Sequence, residues 1–594
     1  METSLTLSEL ESTIKTSKGK TPGIDKIPYM MIKNSPFLFK LRILEHFNNI
    51  FEFSIIPQVY KTAIVIPIKK PNKSADIVES YRPISLLPCI GKILEKIISK
   101  RLIWFIKSNK LISPNQVGFL PGSGTIDALF YLDHMICKNL SAKNHISILS
   151  IDFVKAFDRV GIHIVLKRLL EWSVGPKIYN YIKSFLSSRK FLSKVNNTLS
   201  STLPLYNGIP QGSPLSTTLF VVAFDELSKI IINNKRLEHC FYADDLYIIA
   251  KQQDNCQITN NFHNVLRDID LWSKISGANI SIDKSKHLHI CKKKNCNSIN
   301  LFYNNAAIEN VNSLKVLGLY IDCKYNFKQH CTFLKQNLVN RLNVINYLAS
   351  YKSQIHTNSL LNITKLTILS KIDYALPIYG NCPKTYLSSI KAPYHSAIRS
   401  SLRAFRTTPI INMLAESGFE SVENRLTNVK CRNIHKLLCG NSSLLSKVIY
   451  LAKKRSTKPK KPSAIIQLIE LARNYDIDIA QTVYRCQKFP PWYLNFNSTF
   501  ISTLTNYSKD KTPASAYVKL FLESTQKLRL QNWLFLCTDG SKTSDYVSFA
   551  VVDDNGFIDL CFLWSVWFLW RKILDMTKIT AFYHPNFISE KLIN

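Results

Sequence analysis

Phe241-Tyr242-Ala243-Asp244-Asp245-Leu246-Tyr247-Ile248-Ile249-Ala250 sets two adjacent carboxylates between two apolar, aromatic-rich runs. Both flanks can bury as strands and the charged pair cannot, so the pattern reads as a tight hairpin with two carboxylates at its tip. Taken alone, Asp-Asp is also an ordinary exposed turn dipeptide.

A second acidic position gives the hairpin more meaning. The strand-like run His145 to Ile151 ends in Asp152, and Asp158 follows in Asp152-Phe153-Val154-Lys155-Ala156-Phe157-Asp158. A carboxylate at the end of a buried apolar strand needs a partner for its charge. If this strand lies beside the hairpin, Asp152 and Asp244 converge, and like charges held together demand divalent cations. Two Mg²⁺ ions about 3.5–4 Å apart are the recurring solution for in-line displacement at phosphorus. Asp158 precedes a helix and reads rather as an N-cap or structural acceptor. Between the two acidic segments lies Asn207-Gly208-Ile209-Pro210-Gln211-Gly212-Ser213-Pro214-Leu215-Ser216. Its glycines permit close backbone approach and its prolines stiffen the turn, which suits a loop packed against a base pair. Gln211 is the side chain there able to donate to a template or nucleotide; a generic loop-to-helix connection is the alternative. Ser216 reads as the N-cap of the apolar helix that follows.

Composition sets the surroundings. At 594 residues and 46% apolar content the chain can bury substantial cores in two to four domains. Its 77 Lys and Arg against 41 Asp and Glu leave a formal charge of +36, which points to a polyanion such as nucleic acid, although AT-biased coding also inflates lysine. The 14 cysteines include no Cys-x-x-Cys pair and no Cys/His cluster at zinc spacing, Cys291 and Cys296 being the nearest approach; reduced thiols are expected. Met1 to Lys20 lacks the apolar core of a signal peptide, and nothing before residue 550 approaches a membrane span, so the reading is intracellular, without a membrane partner. The uncharged run Leu560 to Trp570 is too short to span a bilayer and fits a buried strand or an out-of-place tail.

From about residue 20 to 325, short β-rich runs alternate with helical stretches, predicting a mixed α+β fold with strands at Val59–Ile68 and His145–Asp152 and helices at Gly91–Ile106 and Gly161–Trp172. Residues 330 to 450 are helical and basic. Ala452 to Pro462 reads as a solvated linker or a nucleic-acid-contacting arm. Residues 463 to 530 are undiagnostic, and a β-rich segment opens at Trp533.

Acidic strand, glycine-rich Gln loop and acidic hairpin, in that order, closely resemble polymerase motifs A, B and C of reverse transcriptases. Tyr242-Ala243-Asp244-Asp245 with Asn207-Gly208-Ile209-Pro210-Gln211-Gly212-Ser213 is most similar to the enzymes of non-LTR retrotransposons of the insect jockey type. Gly19-Lys20-Thr21-Pro22-Gly23-Ile24-Asp25 resembles their N-terminal extension motif, and Tyr81-Arg82-Pro83-Ile84-Ser85-Leu86-Leu87 their fingers motif. The resemblance covers roughly residues 15 to 400. It implies a right-hand polymerase with an antiparallel palm sheet: an N-terminal extension at 1–55, fingers and palm at 56–325, a helical thumb or connection at 326–450, a basic linker region at 451–530 and an incomplete RNase H-like segment at 531–594.

The same resemblance implies roles at matching positions. Asp152, Asp244 and Asp245 match the metal-binding catalytic carboxylates, with Asp245 the weaker or indirect ligand. Phe157 matches the bulky residue that excludes a 2′-hydroxyl, its alternative being a plain core aromatic. Arg82 matches a fingers contact to the incoming triphosphate, for which a forked guanidinium is suited; Lys70 is a less certain match and reads better as a solvated surface lysine. Lys284, in Gly277 to Lys286, resembles the motif D lysine that protonates the leaving pyrophosphate, and can equally face solvent. Leu314 to Ile321 resembles the strand pair that holds the primer terminus. The implied cofactor is two Mg²⁺ ions, and the implied partners are an RNA template, a DNA primer or target, and dNTPs.

The resemblance also implies differences. Family members usually carry basic residues near positions 120 and 123, so a template contact is missing here. Complete elements carry an N-terminal apurinic-type endonuclease, which nothing before residue 15 forms. Leu534 to Ser541 and Val547 to Asp553 resemble the opening of an RNase H domain with Asp539 as its first carboxylate, but the tail does not continue it, so no RNase H activity is expected. Template-directed DNA synthesis on RNA is the leading expectation. The alternatives are an inactive element fragment that binds nucleic acid nonspecifically, and a maturase-like or telomerase-like relative. The family implies action in nucleus and cytoplasm.

Overall fold

The run His145–Phe153 forms the central strand, β1, of a five-stranded sheet. Its neighbours are β2 (Leu237–Tyr242), β3 (Asp245–Gln252), β4 (Ile280–Ile290) and the short β5 (Glu309–Asn310), in the order β5-β4-β1-β3-β2. All pairings are antiparallel except β5 with β4. The period of two sends alternate residues to opposite faces. Leu149, Ile151 and Phe153 join Leu246, Ile248 and Ala250 in one core, whereas Ile146 and Ile148 join Tyr247, Ile249, Leu288 and Ile290 in another. A strand buried on both faces explains why the apolar residues of β1 occupy successive positions instead of alternating before Asp152.

In the computed structural model, residues 1–19, 21–71, 73–234, 236–252, 254–291, 299–438, 442–453, 461–475, 477 and 492 are described, with the backbone of four strands between 534 and 582. They divide into two units, Met1–Trp492 and Tyr493–Asn594. In the first unit, α1 (Cys89–Ser108), α3 (Pro214–Asn233) and α4 (Asn255–Ser276) contribute to the first core, and α2 (Thr125–Ser141) to the second. A second sheet is built on Thr62–Lys69, which pairs antiparallel with Tyr81–Leu86 and parallel with Arg189–Val195; Leu203–Leu205 extends it. The strand expected from Val59 starts only at Thr62, because Pro57 opens a helical turn over Gln58–Lys61.

The expected N-cap Ser216 is a correction. The helix begins at Pro214, and Ser213 caps it by accepting from the Leu215 N–H at 3.1 Å. Proline at the first helical position, where its missing N–H costs nothing, marks the start that the reading placed three residues late.

Leu314 to Ile321 folds as the antiparallel pair Ser313–Val316 and Leu319–Asp322. Helices then follow from Lys328–Ala349 to Ser443–Lys453. Residues 454–460, most of the basic stretch, lie outside the described residues. Beyond it the undiagnostic region contains a helix, Ala464–Asn474, whose first N–H donates to the buried Asp133 of α2 at 2.6 Å. A carboxylate at a helix N-terminus meets both unpaired N–H groups and the positive end of the dipole. Among the described residues no helix is long and apolar enough to cross a membrane.

The second unit holds strands Leu534–Lys542, Val547–Asp553, Gly556–Ile558 and Thr580–Phe582, all antiparallel, with Asp539 opposite Ala550. Leu560 to Trp570 lies outside the described residues.

The N-terminal segment is tied down by Arg101 of α1, whose side chain is fully buried. Its guanidinium donates to both Glu9 carboxylate oxygens at 2.8 and 2.7 Å and to the carbonyls of Met1, Thr3 and Ser4. Removing one partner of such a pair strands the other charge. Arg101→Met should therefore lower the unfolding free energy by about 3–5 kcal/mol in denaturant melts.

Candidate active site

Phe241 to Asp245 closes the β2–β3 hairpin, with Tyr242 facing Asp245 across a two-residue turn of Ala243 and Asp244. Ala243 adopts φ +57°, the left-handed region that such short turns require and that costs a residue with a Cβ. The strain is held by a neighbour. Asn115 to Val117 lies along β2 as a short parallel extension: Val117 N–H donates to the Phe241 carbonyl and Phe241 N–H to the Asn115 carbonyl, both at 2.9 Å. Gly118 then passes so close that a Cβ there would sit 2.0 Å from the Ala243 nitrogen. Only glycine fits, a requirement invisible without the third dimension.

β1 runs beside β3 with Ile151 opposite Leu246, so Asp152 and Asp245 are the next facing residues, on the same side of the sheet. The three acids feel one another. Burial first, then the charges of Asp244 and Asp152, pushes Asp245 up to about 6; Tyr247 donates a hydrogen bond that opposes this. Asp244 is likewise pushed up, by burial and by Asp152, while its own backbone N–H, Arg82 and Lys284 pull the other way. Asp152 has a direct counter-charge: Lys284 Nζ stands 3.2 Å from its Oδ1. Its N–H donates to Ser285 Oγ at 3.3 Å.

The remaining candidates divide. Arg82, exposed on Tyr81–Leu86, is within electrostatic reach of Asp244. Lys70 turns away: its ammonium donates to the Glu79 carbonyl at 2.7 Å and its N–H to Ser80, fastening the turn between two strands. Phe157 stacks on Phe220 at 4.3 Å and meets Phe119 edge-on at 5.9 Å, so its ring is held by the core while remaining half-buried. Gln211 Nε2 donates to Asp158 Oδ1 at 3.1 Å, an internal bond rather than one aimed outward. Asp158, within the one-turn helix Ala156–Arg159, is thus the structural acceptor of the two expected roles, while Gly161 stands at the N-cap of the helix that follows. Gly208 and Gly212, both at positive φ, bring the loop against backbone on two sides: a Cβ would come 2.5 Å from the Asp158 carbonyl oxygen and 2.3 Å from that of Ser85. The loop thus joins the second sheet to the turn that follows Asp152.

Sequence reasoning missed the support beneath this loop. Glu95 of α1 is fully buried, accepts from the Ser213 hydroxyl, and is pushed up chiefly by burial. Its signal was a lone carboxylate on the apolar face of a predicted helix.

A donor set of carboxylate oxygens that repel one another fits hard divalent cations such as Mg²⁺. With the folded-state value of Asp245 above its unfolded one, the native chain holds a proton that the unfolded chain has lost between about pH 4 and 6. Stability without divalent ions should fall across that window and stay reduced above it. In EDTA, Asp245→Asn should gain on the order of 1–2 kcal/mol at neutral pH, after discounting for solvent screening, and little near pH 4. Paired chemical melts check both.

Residues 68–321 match the family model described as reverse transcriptase (RNA-dependent DNA polymerase), so this part of the chain is a reverse transcriptase domain. The RNA-directed DNA polymerase from mobile element jockey of Drosophila melanogaster is 28% identical over 396 residues, 65% of this chain and 43% of that protein. The jockey polymerase of Drosophila funebris is 25% identical over 465 residues, 77% of this chain and 50% of that protein. The chain thus spans half or less of the length of these relatives. Among solved structures, Candida tropicalis telomerase in complex with a fragment of telomeric RNA aligns at TM-score 0.35 and 13% identity over 70% of this chain and 65% of that one, a level that bears no weight on the fold.

Proposed function

We propose that this chain is the polymerase portion of a non-LTR retrotransposon protein, an RNA-directed DNA polymerase that extends a DNA primer 3′-hydroxyl with dNTPs on an RNA template. The observation that carries the proposal is the meeting of Asp152, Asp244 and Asp245 at one end of the central sheet, where the register of β1 against β3 sets Asp152 beside the hairpin turn. In this reading the antiparallel sheet is the palm, the sheet built on Thr62–Lys69 belongs to the fingers, and the helices after Lys328 form the thumb.

Asp152 and Asp244 would hold Mg²⁺, with Asp245 a weaker ligand; the ions would neutralise the triphosphate and favour the ionised 3′-hydroxyl. Other roles fall to the chain itself. Arg82, close to Asp244 and exposed, is the guanidinium placed to fork onto phosphate oxygens. Lys284, held at Asp152, is the ammonium placed to give a proton to the departing pyrophosphate. Phe157, fixed by Phe220, offers a rigid wall against a 2′-hydroxyl. Gln211 acts through Asp158, shaping the loop on which a base pair would rest. Lys70 is left a structural lysine. The formal charge of +36 supplies affinity for template and primer backbone independent of sequence. Because the primer is genomic DNA in this scheme, we place the reaction in the nucleus and synthesis of the chain in the cytoplasm.

Primer extension on poly(rA)/oligo(dT) with Mg²⁺ tests the reading. Wild type should extend the primer, and Asp152→Asn and Asp244→Asn should each lose at least 10³-fold in rate on the scale of lost electrostatic stabilisation. No extension by the wild type, or extension unchanged in Asp244→Asn, defeats it. An inactive fragment would still bind RNA and DNA, so binding is read separately. That binding should weaken steeply as salt rises from about 50 to 200 mM and be equal for wild type and Asp244→Asn.

A further inference from the structure

The far end of the sheet carries a cluster of quite different chemistry. His145 opens β1, His289 lies near the end of β4, and Cys291 follows it. The pairs Ile146 with Ile290 and Ser147 with His289 make His145 and Cys291 the next facing residues, so His145, Ser147, His289 and Cys291 form a square on one sheet face. One donor atom from each of His145, His289 and Cys291 lies within 4.8 Å of the others. His145 Nδ1 and His289 Nε2 are 3.3 Å apart. That is the separation of two nitrogens each bound at about 2.0–2.1 Å to one tetrahedral ion.

One further contact suits a metal. Ser147 Oγ lies 2.9 Å from His289 Nδ1. With Ser147 as the acceptor, His289 carries its proton on Nδ1 and turns the Nε2 lone pair toward the cluster, the outer-sphere partner that metal-bound imidazoles have.

We propose that His145, His289 and Cys291 bind a zinc ion, through two imidazole nitrogens and one thiolate. Binding displaces the Cys291 thiol proton to solvent, with no change of oxidation state. A nitrogen and sulfur donor set selects against Mg²⁺, which takes oxygen ligands, so this site and the carboxylates do not compete for one metal. They are also far apart: β1 carries them on opposite faces, separated along the strand by roughly 23 Å at about 3.3 Å per residue. The ion would fasten β1 to β4, the two strands that bear Asp152 and Lys284. The proposal does not depend on polymerase activity.

The full chain, purified without an affinity tag of histidines, should contain one zinc by elemental analysis. After exchange into Co²⁺ it should show tetrahedral ligand-field bands and a thiolate-to-cobalt charge-transfer band. Cys291→Ser and His289→Ala should lose the metal, and Ser147→Ala should weaken it about 10–100-fold in competition with a chromophoric chelator. Cys382→Ser provides the control, because Cys331 and Cys382 bring their sulfurs within 3.9 Å in the helical region. The inference is overturned if wild type holds no zinc and gives no charge-transfer band, if a folded Cys291→Ser keeps both, or if Cys382→Ser abolishes them. Should Cys291→Ser fail to fold, the cobalt spectrum of wild type and Cys382→Ser decides alone.

Discussion

The first unit is organised around holding like charges together. Asp152, Asp244 and Asp245 sit where two apolar strands and a hairpin turn run out, and their mutual repulsion grows as the surroundings exclude water. A flexible tip would relax by moving the carboxylates apart. Here the tip is braced: the segment Asn115–Val117 bridges to β2, and Gly118 presses against the Ala243 backbone. The left-handed Ala243 is therefore backbone strain held in place by its surroundings, the arrangement expected where geometry serves chemistry.

The loop from Asn207 to Ser213 extends the same rigidity to the second sheet. Ser85 N–H donates to the Gln211 carbonyl at 2.9 Å, and Ile209 N–H to that of Phe157 at 2.7 Å. Beneath, Glu95 accepts from Ser213, which caps α3, while Arg189 lies buried close enough to lend Glu95 positive charge. A buried carboxylate whose partners are a hydroxyl and a nearby guanidinium fixes the helix start more tightly than apolar contact could, since a shift of the loop would leave it unsatisfied. Movement of the Tyr81–Leu86 strand, and of Arg82 upon it, is thereby linked to the turn after Asp152.

Much of this was legible in the chain. The apolar runs at β1 and β3, and the turn between β2 and β3, follow from where apolar residues can hide and Asp244-Asp245 cannot. The helix over Gly91–Ile106 is found at Cys89–Ser108 for the same reason. What escaped depended on contacts distant in sequence. Gly118 matters because of Ala243, Asp133 because of Ala464, and Glu95 because of Ser213. Gln211 and Lys70 show the converse. A ligand contact was one reading of each, and a surface lysine the preferred one for Lys70; each finds an acceptor within the chain, at Asp158 and at the Glu79 carbonyl. Ser216 failed for a local reason, since Pro214 already supplies a helical φ and Ser213 the cap.

The β1–β4 ladder explains how one strand serves two chemically distinct ends. From Ile146 to Ser150 it pairs in regular register with Ile290 to Lys286, which keeps His145, Ser147, His289 and Cys291 aligned on one face. Beyond Ser150 the register breaks: Asp152 pairs with Ser281, so two steps along β1 are matched by five along β4. The surplus residues bow out of the ladder, as a bulge does, and Lys284 is among them. In an unbroken ladder Lys284 would face Asp152 as a backbone partner, with both side chains upright and parallel. In the bulge its ammonium reaches the Asp152 carboxylate, and Ser285 Oγ takes the Asp152 N–H that β4 no longer accepts. The irregularity is thus the means by which a cation is brought to the acidic end without disturbing the paired imidazoles and thiol at the other. A period count cannot reveal it, because the irregularity lies in the pairing and Ile280–Ile290 stays one continuous strand through it.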